Sequence, residues 1–439
     1  MNKSSAARHC PAILISAPAS GQGKTTITAA FTYYHRQQNR KVCVFKTGPD
    51  FIDPQILSFA CGQPVYQLDL WMMGETHCRE MLYNAADADI ILIEGVMGLF
   101  DGDSSSADLA QTLDVPVAVV IDAGGMAQTF AAVAYGLAHY RANLPFVGVI
   151  ANKVGSPGHA KLLEEALPDS MPLLAAMAKD ETVGLPSRHL GLVQADEIAD
   201  LDLRLVRAAE LLSSLAPCRL PQPVAFAPIA TSPPPPLLAG KRIAVARDAA
   251  FSFIYQANLD CLQAMGAELT FFSPLADHAL PEADGLYLPG GYPELHLQTL
   301  ADNVAMKQSV HAYHQAGKPI YAECGGFLYL LERLTDKDGH AAEMAGLLPG
   351  SAQMQKSLVN LACTACSWNK AKFAVTVFIT RNWKQRCSHS PNRSRNAIVA
   401  VAKTFTGWVR CKRLICITIS HSIRRLRLDF FYERSLYSA

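Results

Sequence analysis

The chain has 439 residues, half of them apolar, and a formal net charge of +1, enough for two or three globular domains with full cores. It contains no run of about eighteen apolar residues. Met1–His9 shows no secretory pattern, and its twelve cysteines are scattered apart from the Cys363/Cys366 pair. A membrane span, a disulfide scaffold and a structural zinc site are therefore excluded, and cytoplasm is the expected compartment. The near-neutral total hides an asymmetry: residues 1–361 carry 24 Lys+Arg against 36 Asp+Glu, whereas residues 362–439 carry 15 against 2.

The first apolar run, Ala12–Ile15, leads into Ala17-Pro-Ala-Ser-Gly-Gln-Gly-Lys-Thr-Thr26. A strand feeding a glycine-rich turn that ends in Lys-Thr aims backbone N–H groups at phosphates, places a lysine on the β/γ oxygens and gives Mg²⁺ a hydroxyl ligand. Gly21, Gly23, Lys24, Thr25 and Thr26 are the candidate ATP-binding residues, and Thr25 is also a candidate metal ligand. Pro18 stands where the regular pattern has its first glycine, so the loop is a variant.

From residue 11 to about 218, β-rich runs alternate with helical patterns: Lys41–Lys46, Asp89–Ile93, Val115–Asp122 and Phe146–Asn152 follow the first strand. That rhythm predicts parallel βαβ units, in which carboxylates that serve phosphoryl transfer come from the carboxyl ends of neighbouring strands. Lys46-Thr-Gly-Pro-Asp-Phe-Ile-Asp-Pro54 offers Asp50 and Asp53 there. The run Ile90–Ile93 delivers Glu94, a Walker B-like position with Glu for Asp, into Gly95-Val-Met-Gly-Leu-Phe-Asp-Gly102. Asp50 and Glu94 are candidate metal ligands. Asp53 is a further candidate carboxylate, with an ordinary turn aspartate as its alternative, and Asp101 is a candidate substrate contact. Asn152-Lys153 ends a further strand and suits purine recognition, although Asn152 also fits a strand-end turn. His159 is as well explained as a surface histidine.

The segment Ala225–Gly240, with Ser232-Pro-Pro-Pro-Pro236, predicts an extended linker. A second α/β rhythm follows: Lys241–Ala246, Glu268–Phe272, Gly285–Pro289 and Pro319–Glu323. Tyr321-Ala-Glu-Cys-Gly-Gly326 puts Cys324 on a strand-to-helix turn, the geometry of a nucleophile elbow that favours the thiolate. Leu288-Pro-Gly-Gly-Tyr-Pro-Glu294 ends another strand, and Gly290 and Gly291 can turn N–H groups toward an oxyanion.

In combination, the variant phosphate loop, Lys-x-Gly-Pro-Asp, Glu-Gly-Val-Met-Gly-Leu-x-Asp-Gly, Pro-Gly-Gly-Tyr-Pro-Glu and Glu-Cys-Gly-Gly resemble the cobyrinate a,c-diamide synthase family over residues 10 to about 361. The resemblance implies an α/β architecture: a P-loop dethiobiotin-synthetase-like parallel-sheet domain at 10–218, a proline-rich linker at 219–240 and a class I glutamine amidotransferase-like α/β domain at 241–361. It implies ATP and Mg²⁺ as cofactors, Mg²⁺ being held by Thr25, Asp50 and Glu94. The implied substrates are cobyrinic acid and glutamine or ammonia, with no nucleic acid and no membrane; the sequence is silent on oligomeric state, and a homodimer is compatible with it. Glutamine would be hydrolysed through a thioester on Cys324, and amidation of the a and c carboxylates would proceed through an acyl phosphate. Phe51 and Phe100 stand where the family has tyrosine, so those hydroxyl contacts are missing. Cobyric acid synthase, a sirohydrochlorin-type a,c-diamide synthase and a non-enzymatic P-loop switch are the alternatives.

Residues 362–439 depart from this plan. Their composition shifts toward Arg, Cys and Trp, helical and strand periodicity is poor, and no nucleic-acid motif accompanies the charge. The family's glutaminase histidine belongs to this part of the domain, yet only His389 and His421 occur, both outside the family's context. Shifting the frame by one position lets codons for Phe373–Thr380 spell Arg-Gly-His-Ser-Val-His-His and codons for Cys416–Arg424 spell His-His-Tyr-Phe-Pro-Phe-Asn-Pro, both family-like. The segment is thus read as an out-of-frame tail. Sequencing the gene across codons 340–439 is expected to show one base gained or lost near codon 362, and an intact frame there would refute the reading.

Overall fold

The computed structural model describes residues 6–354, except 103, 189, 190 and 217, together with backbone strands over 360–368, 371–379 and 381–384. Its contacts divide the chain between Thr231 and Ser232.

The first unit runs β1 (Arg8–Ser16), α1 (Lys24–Gln37), β2 (Val42–Thr47), α2 (Asp53–Cys61), β3 (Tyr66–Leu68), α3 (Glu75–Ala85) and β4 (Ile90–Glu94). It continues with α4 (Ser106–Leu113), β5 (Val117–Asp122), α5 (Thr129–His139), β6 (Phe146–Val154), α6 (Pro157–Ala166) and β7 (Leu173–Ala178). A short pair, β8 (Ser187–Arg188) and β9 (Gly191–Leu192), then α7 (Leu201–Leu215) and β10 (Pro223–Phe226) close it. The main sheet has the order β3-β2-β4-β1-β5-β6-β7, with all these pairs parallel.

Central strands read as unbroken apolar runs because helices cover both faces. Along β1, Ile13 and Ile15 pack with Ile27 and Phe31 of α1 on one side. Ala12 and Leu14 pack with Leu109 and Ala110 of α4 on the other. Local sequence sets the helix ends: α2 takes Pro54 in its first turn and stops at Gly62 with φ 72°. A reciprocal Ser105–Asp108 capping box opens α4. The chain crosses from β1 to strands on both of its sides, so the switch point of the sheet lies at the carboxyl end of β1.

The stretch expected to be linker contributes to this unit. Pro223–Phe226 forms β10, antiparallel to the start of β1. It can do so because β1 begins with Arg8–Pro11, an N-terminal overhang beyond the register of its parallel neighbours, which leaves backbone groups to be paired.

The second unit contains β11 (Arg242–Ala246), α8 (Gln256–Ala264), β12 (Glu268–Phe272), β13 (Gly285–Leu288), α9 (Leu297–Asp302), α10 (Val304–Gln315), β14 (Ile320–Ala322) and α11 (Cys324–Tyr329). Its parallel sheet has the order β12-β11-β13-β14. After it come β15 (Leu331–Thr335), β16 (Ala341–Glu343), β17 (Leu348–Met354), β18 (Asn360–Trp368), β19 (Ala371–Ile379) and β20 (Arg381–Lys384). The sheet order is β16-β15-β17-β20, and β18 pairs antiparallel with β19. Strands therefore occur where poor periodicity was expected; the run Phe373–Ile379 is β-branched and aromatic enough to extend without alternating. His389 and His421 lie outside the described residues.

One buried titratable group ties α1 to solution conditions. His35 is fully buried, and Arg40 Nη1 donates to its Nδ1 at 2.7 Å. Burial, reinforced by the Arg40 charge, pushes it from 6.5 down to about 4. Between those values the unfolded chain binds the extra proton and the folded one does not. This contribution is complete above pH 6.5 and is lost as pH falls toward 4, by about 2–3 kcal/mol. His35→Gln should therefore flatten the pH dependence of Tm between pH 4 and 7 in calorimetry.

Candidate active site

The switch point collects the expected residues of the first unit. Ala17–Gly23 turns between β1 and α1, with Gly21 at φ 79° and Gly23 at φ 90°. A Cβ on Gly23 would stand 2.3 Å from Asn152 Nδ2, so the turn admits only glycine there. The loop is stitched to the ends of two strands: Asn152 Nδ2 donates to Gln22 O at 2.9 Å, and Asp122 N donates to Gln22 Oε1 at 2.9 Å. Asp122 and Asn152 face each other in the β5–β6 register. Asn152 thus bonds the phosphate loop from the end of its strand. Lys153, at φ 56°, pairs with Asp122 at 2.6 Å.

Lys24 Nζ donates to Ala19 O at 3.2 Å and Met97 O at 2.5 Å. Burial, then the nearby Lys46, push its pKa down. Thr25 Oγ1 donates to Glu94 Oε1 at 2.8 Å and lies 3.3 Å from Asp53 Oδ2, while Thr26 follows in the first turn of α1. The residue that organises this cluster is one that sequence reasoning did not nominate. Lys46, 2 % exposed, donates from Nζ to Glu94 Oε1 and to Asp53 Oδ2, both at 2.6 Å, and lies 3.5 Å from Asp50 Oδ2. Lys46 and Glu94 are register partners in β2 and β4. A lysine ending an otherwise apolar buried strand was the available signal.

Burial alone would drive Lys46 toward neutrality, but Glu94, Asp53 and Asp50 outweigh it and keep the ammonium protonated. Asp53 is held low: burial opposes its charge, and Lys46 overcomes that. The Asp50 carboxyl is pushed up, to about 6, chiefly by burial. Its Oδ1 accepts the N–H groups of Ile52 and Asp53, capping the turn into α2. Asp53 rather than Asp50 therefore stands beside Thr25. Glu94 is fully buried, its Oε2 has no hydrogen-bond partner among the described residues, and burial pushes its carboxyl to about 7. A hydroxyl and two carboxylates, one of which keeps an unpartnered buried oxygen, form a hard-oxygen donor set that fits Mg²⁺ beside a loop that fits phosphates.

Asp101 is exposed, and its Oδ2 accepts Gly98 N at 2.9 Å, so it braces its own loop. His159 accepts Gly155 N at Nδ1 (3.1 Å), and its Nε2 meets Met126 O at 2.7 Å, a structural role.

In the second unit the register Tyr287↔Tyr321 and Leu288↔Ala322 sets the end of β13 beside the end of β14. Cys324 opens α11 at φ 40°, the strained turn of an elbow, and is partly exposed. A Cβ on Gly290 would lie 3.4 Å from Cys324 Cβ, and one on Gly291 (φ 156°) 2.1 Å from Ala250 O. A Cβ on Gly325 would stand 2.8 Å from Gly291 N, so the proposed oxyanion donors lie against the nucleophile turn. Sequence reasoning also missed Glu323, buried beside the thiol-bearing residue. It accepts Tyr287 OH at 3.0 Å and the hydroxyl of Tyr321, anchoring the elbow from the sheet side.

Comparison with known proteins gives the same two-domain plan. The CobQ/CobB/MinD/ParA nucleotide binding domain fits residues 13–193, and the CobB/CobQ-like glutamine amidotransferase domain fits residues 242–378, past residue 361. A hydrogenobyrinate a,c-diamide synthase of Stutzerimonas stutzeri is 59% identical over 81% of this chain and 83% of its own length. The chain belongs to the cobyrinate a,c-diamide synthase family. Within the family it is similar to a second hydrogenobyrinate a,c-diamide synthase, from Pseudomonas aeruginosa, at 59% identity over 80% of this chain and 81% of that one. A cobyrinate a,c-diamide synthase of Herminiimonas arsenicoxydans is 50% identical over 80% of each chain. Like those a,c-diamide synthases, it is a ligase with a nucleotide-binding domain followed by a glutamine amidotransferase domain. Among the described residues no helix is long and apolar enough to cross a membrane.

Lys46→Met removes the ammonium hydrogen-bonded to Glu94 and Asp53 and strands buried carboxylates. It should lower stability by about 3–5 kcal/mol in denaturant titration. Adding Glu94→Gln should recover part of that loss, because one of the uncompensated charges is then removed.

Proposed function

We propose that this chain amidates the a and c acetate carboxylates of a cobyrinic acid-type corrinoid in cobalamin biosynthesis, in the cytoplasm, with ATP as the activating substrate and glutamine or ammonia as the nitrogen source. The observation that supports this most is the meeting of a phosphate loop with the Lys46–Glu94–Asp53–Thr25 cluster at one switch point, in a chain 59% identical to a hydrogenobyrinate a,c-diamide synthase.

Amidating a carboxylate requires a better leaving group than oxide. The carboxylate oxygen attacks the γ-phosphorus of ATP, ADP departs, and an acyl phosphate forms. Ammonia then adds to the carbonyl carbon, phosphate leaves, and the nitrogen gives up a proton. Gly21 and Gly23 shape the loop that takes the phosphates, and Lys24 offsets charge on the transferred group. Thr25, Glu94 and Asp53, on the same rim as Asp50, would hold Mg²⁺, which would supply charge neutralisation for the phosphates. Lys46 favours the ionised form of those carboxylates against their burial, prevailing at Asp53, and keeps Glu94 and Asp53 aligned. Asn152 fixes the loop that Gly23 closes, and with Lys153 it borders the nucleotide site. Asp101 holds the substrate-side loop.

Ammonia from glutamine requires the Cys324 thiolate to attack the carboxamide carbon. Gly290 and Gly291 N–H groups meet the oxyanion, ammonia leaves, and water hydrolyses the thioester to glutamate. That cycle needs a base to move protons, and in the family it is a histidine of the C-terminal part, which the out-of-frame reading of 362–439 removes. The chain as written should therefore amidate with ammonium but not with glutamine, read by mass spectrometry of the corrinoid. Restoring the frame should add glutamine use, which Cys324→Ser should abolish while sparing ammonium. Robust glutamine-dependent amidation by the chain as written would refute the base assignment, and indifference of the restored enzyme to Cys324→Ser would favour a simple nucleotide switch.

A further inference from the structure

The loop from Met97 to Asp101 leaves the phosphate site and ends in an exposed aromatic corner that none of the chemistry above uses. The corner is tied closely to the reacting end: Met97 O accepts Lys24 Nζ at 2.5 Å, and Leu99 N donates to Ala17 O at 2.8 Å. Phe100, the next residue, is half-buried and packs its ring against Tyr140, with centroids 4.8 Å apart and planes tilted by 54°. Tyr140, just beyond the end of α5, is 76% exposed, and Met97 is 43% exposed at φ 50°. A large aromatic ring left so open, braced from beneath by a second ring, carries apolar area that remains to be covered.

A fixed cation borders the rings. The Arg141 guanidinium lies 5.5 Å from the Phe100 centroid. Its Nη1 donates to Asp108 Oδ1 at 2.5 Å and reaches Gln111 Oε1 at 3.5 Å. Asp108 is itself locked in the capping box of α4 and held below the usual carboxylate range: burial opposes its charge, and Ser105 and Arg141 outweigh that. Among the described residues no group pairs with Arg141 Nε or Nη2. A guanidinium immobilised on one nitrogen and open on the others is pre-set to take a carboxylate in its fork.

A flat apolar surface, a thioether and an oriented guanidinium call for one kind of occupant: a broad planar ring that carries carboxylates. We infer that Phe100, Tyr140 and Arg141 form the platform on which the substrate macrocycle lies, Tyr140 stacking on its face and Arg141 gripping a carboxylate that is not being amidated. This rests on the function proposed above and assigns the residues that orient that substrate. The span is suitable. Phe100 is three residues from the carbonyl that Lys24 holds, at most about 11 Å of chain, so a ring on the platform can place an edge carboxylate at the phosphate site.

The test is a titration of the visible absorption of cobyrinic acid, and of its metal-free hydrogenobyrinic counterpart, with the full chain and with Tyr140→Ala, Arg141→Gln and Arg141→Lys. Tyr140→Ala and Arg141→Gln should each raise the corrinoid Kd about tenfold. ATP Kd and Tm should stay unchanged, and in ammonium-dependent turnover the rise should appear in the corrinoid KM, with the ammonium KM unmoved. Arg141→Lys should recover little, since a point charge cannot replace the fork. Corrinoid Kd values equal to the parent's would overturn the platform. So would a Tyr140→Ala chain whose sedimentation changes while its corrinoid affinity does not, which would assign the corner to a second copy. If the unsubstituted chain itself neither binds nor amidates a corrinoid, the proposed function fails, and this inference with it.

Discussion

A protonated lysine buried among three carboxylates is the constraint around which the first unit is arranged. Lys46 has 2 % of its surface exposed and sits 2.6 Å from both Glu94 and Asp53. Removing such charges from water is costly, and only close, hydrogen-bonded geometry offsets it. The geometry is supplied by strand register, since Lys46 and Glu94 face each other across β2 and β4. A slip of one residue would send one side chain to the opposite face of the sheet and leave a bare charge in an apolar layer. The cluster therefore fixes where β2 and β4 end, and with them the positions of Thr25 and the phosphate loop. The same concentration of charge is what a metal–phosphate site requires, so structural constraint and chemistry coincide at the switch point.

The second unit solves its problem with sterics instead of charge. The strand-end glycines after β13 press against the loop at Ala250–Phe253 and against the turn that carries Cys324. Any side chain at Gly291 or Gly326 would run into a backbone carbonyl 2.1 Å away. The contacts that force glycine there are also what let the strand-end backbone lie against the turn of Cys324, the arrangement the proposed oxyanion role requires. The Glu323 carboxylate, clamped by Tyr287 and Tyr321, anchors the turn at Cys324 from the sheet side. The positive φ of Cys324 is thus maintained by packing on both sides.

Nearly all of the α/β organisation was legible because buried parallel strands leave unbroken apolar runs and their turns carry specific chemistry. Gly23, Lys24, Thr25 and Glu94 stood out for that reason, as did Cys324 before its paired glycines. Lys46 did not, because a lysine at the end of an apolar run resembles a strand terminus reaching solvent; its burial depends on Asp50 and Asp53 in the turn that follows and on Glu94, which is distant in sequence and meets it only through strand register. Asn152 suggested base recognition by its strand-end position, and only the fold shows its amide bonded to Gln22 O. Asp50 and Asp53 looked alike in the sequence, yet the turn into α2 uses Asp50 as its cap and sends Asp53 to Thr25.

The sequence by itself determined the two α/β units, the phosphate loop, the elbow cysteine and the abrupt change of composition after residue 361, because periodicity, glycine placement and charge balance are local properties of the chain. Tertiary structure decided which carboxylate meets the hydroxyl, which lysine neutralises the cluster, that Pro223–Phe226 joins the first sheet, and that Phe100, Tyr140 and Arg141 share one corner. Those outcomes depend on register and on the meeting of segments remote in sequence. Neither is encoded in any short window, since the energy that selects them exists only once the strands are side by side.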